Sequence, residues 1–106
     1  MPDGPERTED GRYVVVDGRR WRAQDPEVPD DVAARLRSHL GRGRSGVGVA
    51  KRAGDDAAVS RARERVGLAK HGLGERGEAW WDLSLDERRR RWDDALRDLD
   101  ALDDDS

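Results

Sequence analysis

A glycine-rich hexapeptide, two histidines and a pair of adjacent tryptophans are the places where this chain could do chemistry. Gly41-Arg42-Gly43-Arg44-Ser45-Gly46 matches G-x-G-x-x-G letter for letter. In a dinucleotide or kinase site, such glycines follow a strand and let backbone N–H groups approach phosphates. Here an amphipathic helical pattern precedes them and no alternating βαβ pattern surrounds them. They predict close helix packing or a basic bend, and no nucleotide cofactor. His39 and His71, the only histidines, fall in final helical turns, where a cation or a carbonyl-bonded imidazole is comfortable. Neither has a second ligand at metal spacing, and the chain has no cysteine, so no metal site and no disulfide are expected. Carboxylates are too abundant for any one spacing to be informative. A carboxylate dyad would also need a cleft to shift its pKa values. No nucleophile–base set stands out, and the chain reads as a non-enzyme.

Two surfaces remain. Arg42, Arg44, Lys51, Arg52, Arg61, Arg63, Arg65 and Lys70 lie off the apolar seam described below and form a basic face suited to phosphates. Asp55, Asp56 and Glu64 dilute it, which favours a plain solvated face over a phosphate-binding one. Trp80-Trp81 follows the charged turn Glu75-Arg76-Gly77-Glu78. Adjacent aromatics in an extended connector point opposite ways, so one can lock the last helix to the hairpin while the other is left for a partner; the alternative is that both serve as core staples. Tryptophan and arginine are the residues most enriched at binding hot spots. Arg20, Trp21, Arg76, Trp80 and Trp81 are therefore the expected partner-binding set. The leading expectation is a non-catalytic protein–protein interaction module, with an unknown protein partner and no cofactor. The alternative is a nucleic-acid-associated protein using the basic faces.

The elements that must position these residues follow from spacing. Residues 1–11 are polar and aperiodic and read as a disordered tail. Tyr13-Val14-Val15-Val16 and Arg19-Arg20-Trp21-Arg22-Ala23 flank Asp17-Gly18, a hairpin signal, because a type I′ turn needs positive φ at both central residues. That register sets Val16 opposite Arg19 and Val14 opposite Trp21, with Tyr13 and Val15 sharing the other face with Arg22 and Arg20. The Val14/Val16/Trp21 face is the better core candidate. Pro26 and Pro29 keep the connector extended, and Pro29 suits the start of a helix. Ala33, Leu36, Leu40, Gly43, Val47 and Ala50 then recur at 3-4-3-4-3 spacing, and Val59, Ala62, Val66, Ala69 and Leu73 at 3-4-3-4. Gly54-Asp55 between them is a helix stop followed by a helix start. Folded antiparallel, the two helices pair Ala50 with Val59, Val47 with Ala62, Gly43 with Val66, Leu40 with Ala69 and Leu36 with Leu73. Gly41, Gly43, Gly46 and Gly48 oppose helix by about 1 kcal/mol each, and the alternative is a break there. Ser84-Leu85-Asp86-Glu87 is a capping box opening a third helix, with Leu85, Trp92, Leu96 and Leu99 as its apolar stripe.

The expected fold class is mainly α: an N-terminal β-hairpin packed on an antiparallel helical hairpin plus a C-terminal helix. One domain is expected over 12–102, with the β-hairpin at 13–23, helices at about 29–53, 55–73 and 84–102, and an acidic tail at 103–106. Charged residues reach 42% against 34% apolar, so little core is available and the tryptophans must supply much of it. Residues 41–80 carry nine basic and five acidic side chains, and residues 81–106 five and ten. A basic middle beside an acidic end suits internal charge pairing, or a binding face with its own tethered competitor. No apolar run is long enough to span a bilayer and no signal-peptide pattern opens the chain, so a cytoplasmic protein with no membrane partner is expected. The excess of arginine over lysine reads as the imprint of a GC-rich genome.

With these segments in place, a resemblance emerges. Tyr13 through Ala23, then Asp25-Pro26 and Pro29, look like the opening of a family of small actinobacterial proteins whose members often carry the label "biopolymer transporter Tol". Val66-Gly67-Leu68-Ala69-Lys70, Leu73-Gly74-Glu75-Arg76-Gly77-Glu78 and Trp80-Trp81 resemble its C-terminal signature. The likeness spans about three quarters of the chain and implies a shared fold and an actinobacterial source. It brings no activity to carry over.

Overall fold

The computed structural model describes residues 6–104. Strands β1 (Glu6–Arg7), β2 (Tyr13–Val16) and β3 (Arg19–Arg22) form an antiparallel sheet in that order. Asp17 and Gly18 both take positive φ, 53° and 75°, and the β2–β3 register is the one the Asp-Gly turn dictates, Val16 on Arg19 and Val14 on Trp21. The first strand is a correction to the expected tail at 1–11. Asp10 accepts hydrogen bonds from Thr8 Oγ1 (2.6 Å) and Arg12 N (3.0 Å), and Gly11 turns at φ 72°. This tight turn brings Glu6 and Arg7 back onto Val15 and Val14. A two-residue strand is too short to show alternation. Residues 1–5 lie outside the described residues.

Helix α1 (Asp30–Ala53) runs unbroken through all four glycines. Asp30 and Asp31 sit at its N-terminus and Lys51 and Arg52 at its C-terminus, each where the helix dipole favours them. Gly54 ends it at φ 68°. Asp55 then caps helix α2 (Asp56–Leu73) by accepting from Ala58 N at 3.0 Å. Packing uses two of them, Gly43 and Gly46, while a Cβ on Gly41 would meet nothing within 4 Å and one on Gly48 only Arg52 Nη1 at 3.5 Å. A Cβ on Gly43 would lie 2.8 Å from Val66 Cγ2, 3.1 Å from Val66 N and 3.2 Å from Ala62 O. Gly46 also comes onto Ala62, with 3.3 Å to its Cβ. At the far end Leu36 and Leu73 are fully buried, with Leu40 and Ala69 in the same core.

Helix propensity alone predicts that Gly43→Ala is neutral or stabilising. The close approach reverses that expectation, since two of the clashing atoms are backbone. Gly43→Ala should cost about 1–3 kcal/mol as overpacking, and Gly43→Leu more. Thermal melting of both variants checks this. An unchanged midpoint for Gly43→Leu would show that the seam is not held as described.

Helix α3 (Leu85–Asp104) opens on the expected box: Glu87 Oε1 accepts from Ser84 N (3.3 Å) and Ser84 Oγ (2.9 Å), while Ser84 Oγ accepts from Glu87 N (3.2 Å). Trp92, Ala95, Leu96 and Leu99 bury against Leu36, Leu40, Ala69 and Leu73. Ala95 crosses α2 at Gly72, where a Cβ would lie 2.8 Å from Ala95 Cβ. Leu85 was expected in this stripe but is 54% exposed, because it precedes the turn at which α3 reaches the core. The acidic tail expected from 103 is helical at its start: the helix continues to Asp104, and Asp103 accepts from Arg42 and Arg65, while residues 105 and 106 lie outside the described residues.

One buried joint ties the N-terminal arm to this three-helix body. Asp25 is 1% exposed. Its N–H donates to Leu73 O at 2.8 Å, and its carboxylate accepts from Glu27 N at 2.9 Å. Arg88 grips both carboxylate oxygens, Nε on Oδ2 at 2.9 Å and Nη2 on Oδ1. Gly74 (φ 84°) passes so close that a Cβ there would lie 2.9 Å from Asp25 Cβ and 3.1 Å from Trp80 Cδ1.

Candidate interaction surface

The expected partner residues divide between two roles. Trp80 and Trp81 are not in extended chain: they form a single 3-10 turn, Trp80–Asp82, with ring planes at 85° and centroids 5.0 Å apart. Trp80 is 8% exposed, donates from Nε1 to Ala23 O at 3.0 Å, and lies under the Arg88 guanidinium at 5.2 Å. It is a staple between the arm and α3. Trp81 is half-buried and meets the edge of Tyr13 at 5.5 Å. Arg12 and Arg22 flank its ring at 4.9 and 5.8 Å, and Arg22 also donates to Gly77 O. The sheet therefore docks through Tyr13, not through the Val14/Val16/Trp21 face expected to enter the core. Trp21 stays 45% exposed and Val16 38%. Arg19 stacks on Trp21 at 4.5 Å, and exposed Arg20 lies 5.9 Å from the Tyr13 ring.

The undocked face lines a cleft. Val14, Val16 and Trp21 form one wall, and Arg44 of α1 with Lys70 and Glu75 form the other, around about 520 Å³. A second cleft of about 400 Å³ is lined by Arg44, Val47, Arg63, Val66 and Arg76. Arg44 belongs to both, so the two read as one groove with an apolar floor and a cationic rim. Among the described residues, Arg44, Arg63, Lys70 and Arg76 make no ion pair. Partial burial and then the charges of Arg76 and Arg44 hold the Lys70 pKa below its ordinary value. Burial pushes Glu75 up, against the pull of Lys70, Arg44 and Arg37.

The other flank of the α1–α2 pair is occupied. Arg35 pairs with Asp100 at 2.8 Å, and Asp103 receives Arg42 at 3.0 Å and Arg65 at 2.7 Å. The expected basic face is thus split: Arg42 and Arg65 are bound to α3, while Arg44, Lys51, Arg52, Arg61, Arg63 and Lys70 make no such pair among the described residues. His39 lies within α1, not in a final turn, because the helix continues to Ala53. It is buried and central to the occupied flank. Arg65 Nη1 lies 2.7 Å from His39 Nδ1. A guanidinium cannot accept, so Nδ1 is the acceptor and the ring proton sits on Nε2, facing Asp100 Oδ1 at 3.4 Å. His39, Asp100 and Asp103 converge closely enough to suggest a cation site, which their spacing in the sequence could not show. Their lone pairs are directed at guanidinium groups, which makes the cluster an ion-pair network. His71 is exposed on α2 beside Gly77.

Sequence reasoning missed Val47 and Val66 as groove floor, since their spacing assigns both to the seam. It also missed Arg44 as the residue that joins the two clefts. Among the described residues no helix is long and apolar enough to cross a membrane. Compared with protein-family models, curated proteins and solved structures, the chain matches none.

Proposed function

We propose that this chain is a non-catalytic protein–protein interaction module acting in the cytoplasm, and that Trp21, Arg76 and the groove between them form its contact patch. The observation that carries this reading is Trp21. In a chain this poor in apolar mass, a tryptophan left 45% exposed forms the wall of an apolar cleft whose rim cations have no ion-pair partner among the described residues. Aromatic anchors beside arginine are the usual energetic centre of an interface. Trp80 leaves the patch because it is a buried staple, and Trp81 with Arg20 supports the sheet that presents Trp21.

Trp21→Ala should leave the melting midpoint nearly unchanged, since an exposed substitution shifts stability by only about 0.5 kcal/mol. Capture of the native partner should fall by about 2 kcal/mol or more in affinity. Quantitative pull-down from the source organism with wild type and Trp21→Ala tests this. Capture that ignores the substitution would exclude the patch.

A second reading, nucleic-acid association, draws on Arg44, Lys51, Arg52, Arg61, Arg63 and Lys70, which make no ion pair among the described residues. Salt separates the two readings: phosphate binding weakens steeply as salt rises, while an aromatic-anchored protein contact does not.

A further inference from the structure

The chain already shows how its helical hairpin holds an acidic helix. On one flank of the α1–α2 seam, α3 lays Trp92, Leu96 and Leu99 on the core and sends Asp100 and Asp103 to Arg35, Arg42 and Arg65. The apolar stripe supplies burial, and carboxylates on the same helix neutralise arginines of both α1 and α2.

The other flank repeats those requirements without an occupant from the described residues. Residues two apart on an α-helix point about 200° apart around its axis. Arg44 and Arg63 therefore face away from Arg42 and Arg65, their neighbours that reach Asp103. Val47 and Val66 form the floor beside Arg44 and Arg63, while Val14, Val16 and Trp21 extend the apolar lining towards Lys70. Glu75 is the one acid lining either cleft among the described residues. A cationic rim over an apolar floor selects an amphipathic partner with the opposite charge.

We infer that this groove binds an acidic amphipathic helix of a partner protein, with its apolar stripe on Trp21, Val47 and Val66 and its carboxylates on Arg44, Arg63, Lys70 and Arg76. The inference rests on the interaction reading above and names the chemistry of the partner. Helix-in-groove recognition places anchors at i, i+4 and i+7, with charges on the flanking positions.

The test uses the full chain and a synthetic helical peptide carrying a leucine stripe flanked by glutamates. Controls are the same peptide with lysines for glutamates, sodium laurate and a DNA duplex. Calorimetry gives affinity, and nuclear magnetic resonance of the leucine and valine methyls and tryptophan indoles gives location. The glutamate peptide should bind about tenfold or more tighter than the lysine peptide, and shifts should gather on Trp21, Val47 and Val66. Arg44→Glu with Arg63→Glu, both exposed, should weaken it about tenfold with melting nearly unchanged, while Arg89→Glu on exposed α3 surface should not weaken it. Equal binding of the two peptides overturns the proposal. So do shifts at Trp92 and Leu99, which would mean that the peptide displaces α3, and tighter binding of laurate or DNA at the groove. If native capture depends on Trp21 yet the glutamate peptide does not bind, the helix proposal falls while the interaction reading stands.

Discussion

Trp80→Ala is expected to remove about 3–5 kcal/mol, the cost of deleting a buried indole, from a domain whose total stability is on the order of 5–15 kcal/mol. The loss exceeds the cavity. Ala23 O would lose the Nε1 donor, and Arg88 would lose the ring beneath its guanidinium. The adjacent substitution should behave differently. Trp81→Ala removes the edge contacts with Tyr13 and Trp80 and the seat of Arg12 and Arg22; all but Trp80 belong to the sheet or to the turn that leads into it. It should release the sheet while α1, α2 and α3 stay packed. Thermal melting paired with amide hydrogen exchange separates the two. Trp80→Ala should lower protection everywhere, and Trp81→Ala mainly over 13–22. Equal global losses would show that both rings belong to one core and that the sheet is not a separately releasable part.

Replacing Asp25 with alanine should cost about 3–5 kcal/mol, because breaking a buried ion pair leaves the other charge without compensation. Arg88 would keep its part-buried position and lose both carboxylate contacts, and Glu27 N would lose its acceptor. Substituting both partners at once, Asp25→Leu with Arg88→Met, should recover much of the loss, since an apolar pair of similar volume often matches a buried ion pair. Chemical denaturation of the single and double variants gives the comparison. A double variant no more stable than Asp25→Ala would mean that the joint depends on backbone geometry, for which the Asp25 N–Leu73 O bond is the candidate.

The features legible in the sequence are those governed by neighbours a few residues away. Asp17-Gly18 specifies a turn and a register, Ser84 with Glu87 specifies a helix start, and the 3-4 spacing brings Gly43 onto Val66. Features that depend on distant partners were not legible. Nothing local marks Asp25 as buried among so many exposed aspartates; Arg88 and Leu73 make it so. The alternation of Tyr13-Val14-Val15-Val16 gives two faces, and hydrophobicity alone favours Val14/Val16/Trp21. The docked face is instead the one that carries Tyr13, because Trp81 meets it there. The same limit hid the groove. Arg44 reads as one basic residue among several until Arg42, two positions earlier, is seen to be taken by Asp103.

The joint at Asp25 also bears on the order in which the chain folds during synthesis. Arg88 lies 63 residues downstream of Asp25, so their ion pair cannot form until the first turns of α3 have emerged. The α1–α2 hairpin closes over a short turn at Gly54-Asp55 and needs nothing beyond Leu73, so its contacts can assemble first. Until α3 arrives, Leu36, Leu73 and Gly72 face solvent on that hairpin and Asp25 remains hydrated. In the folded chain Trp92 and Leu99 are what cover that apolar helix pair, so nothing on α3 can shield it before α3 has been made.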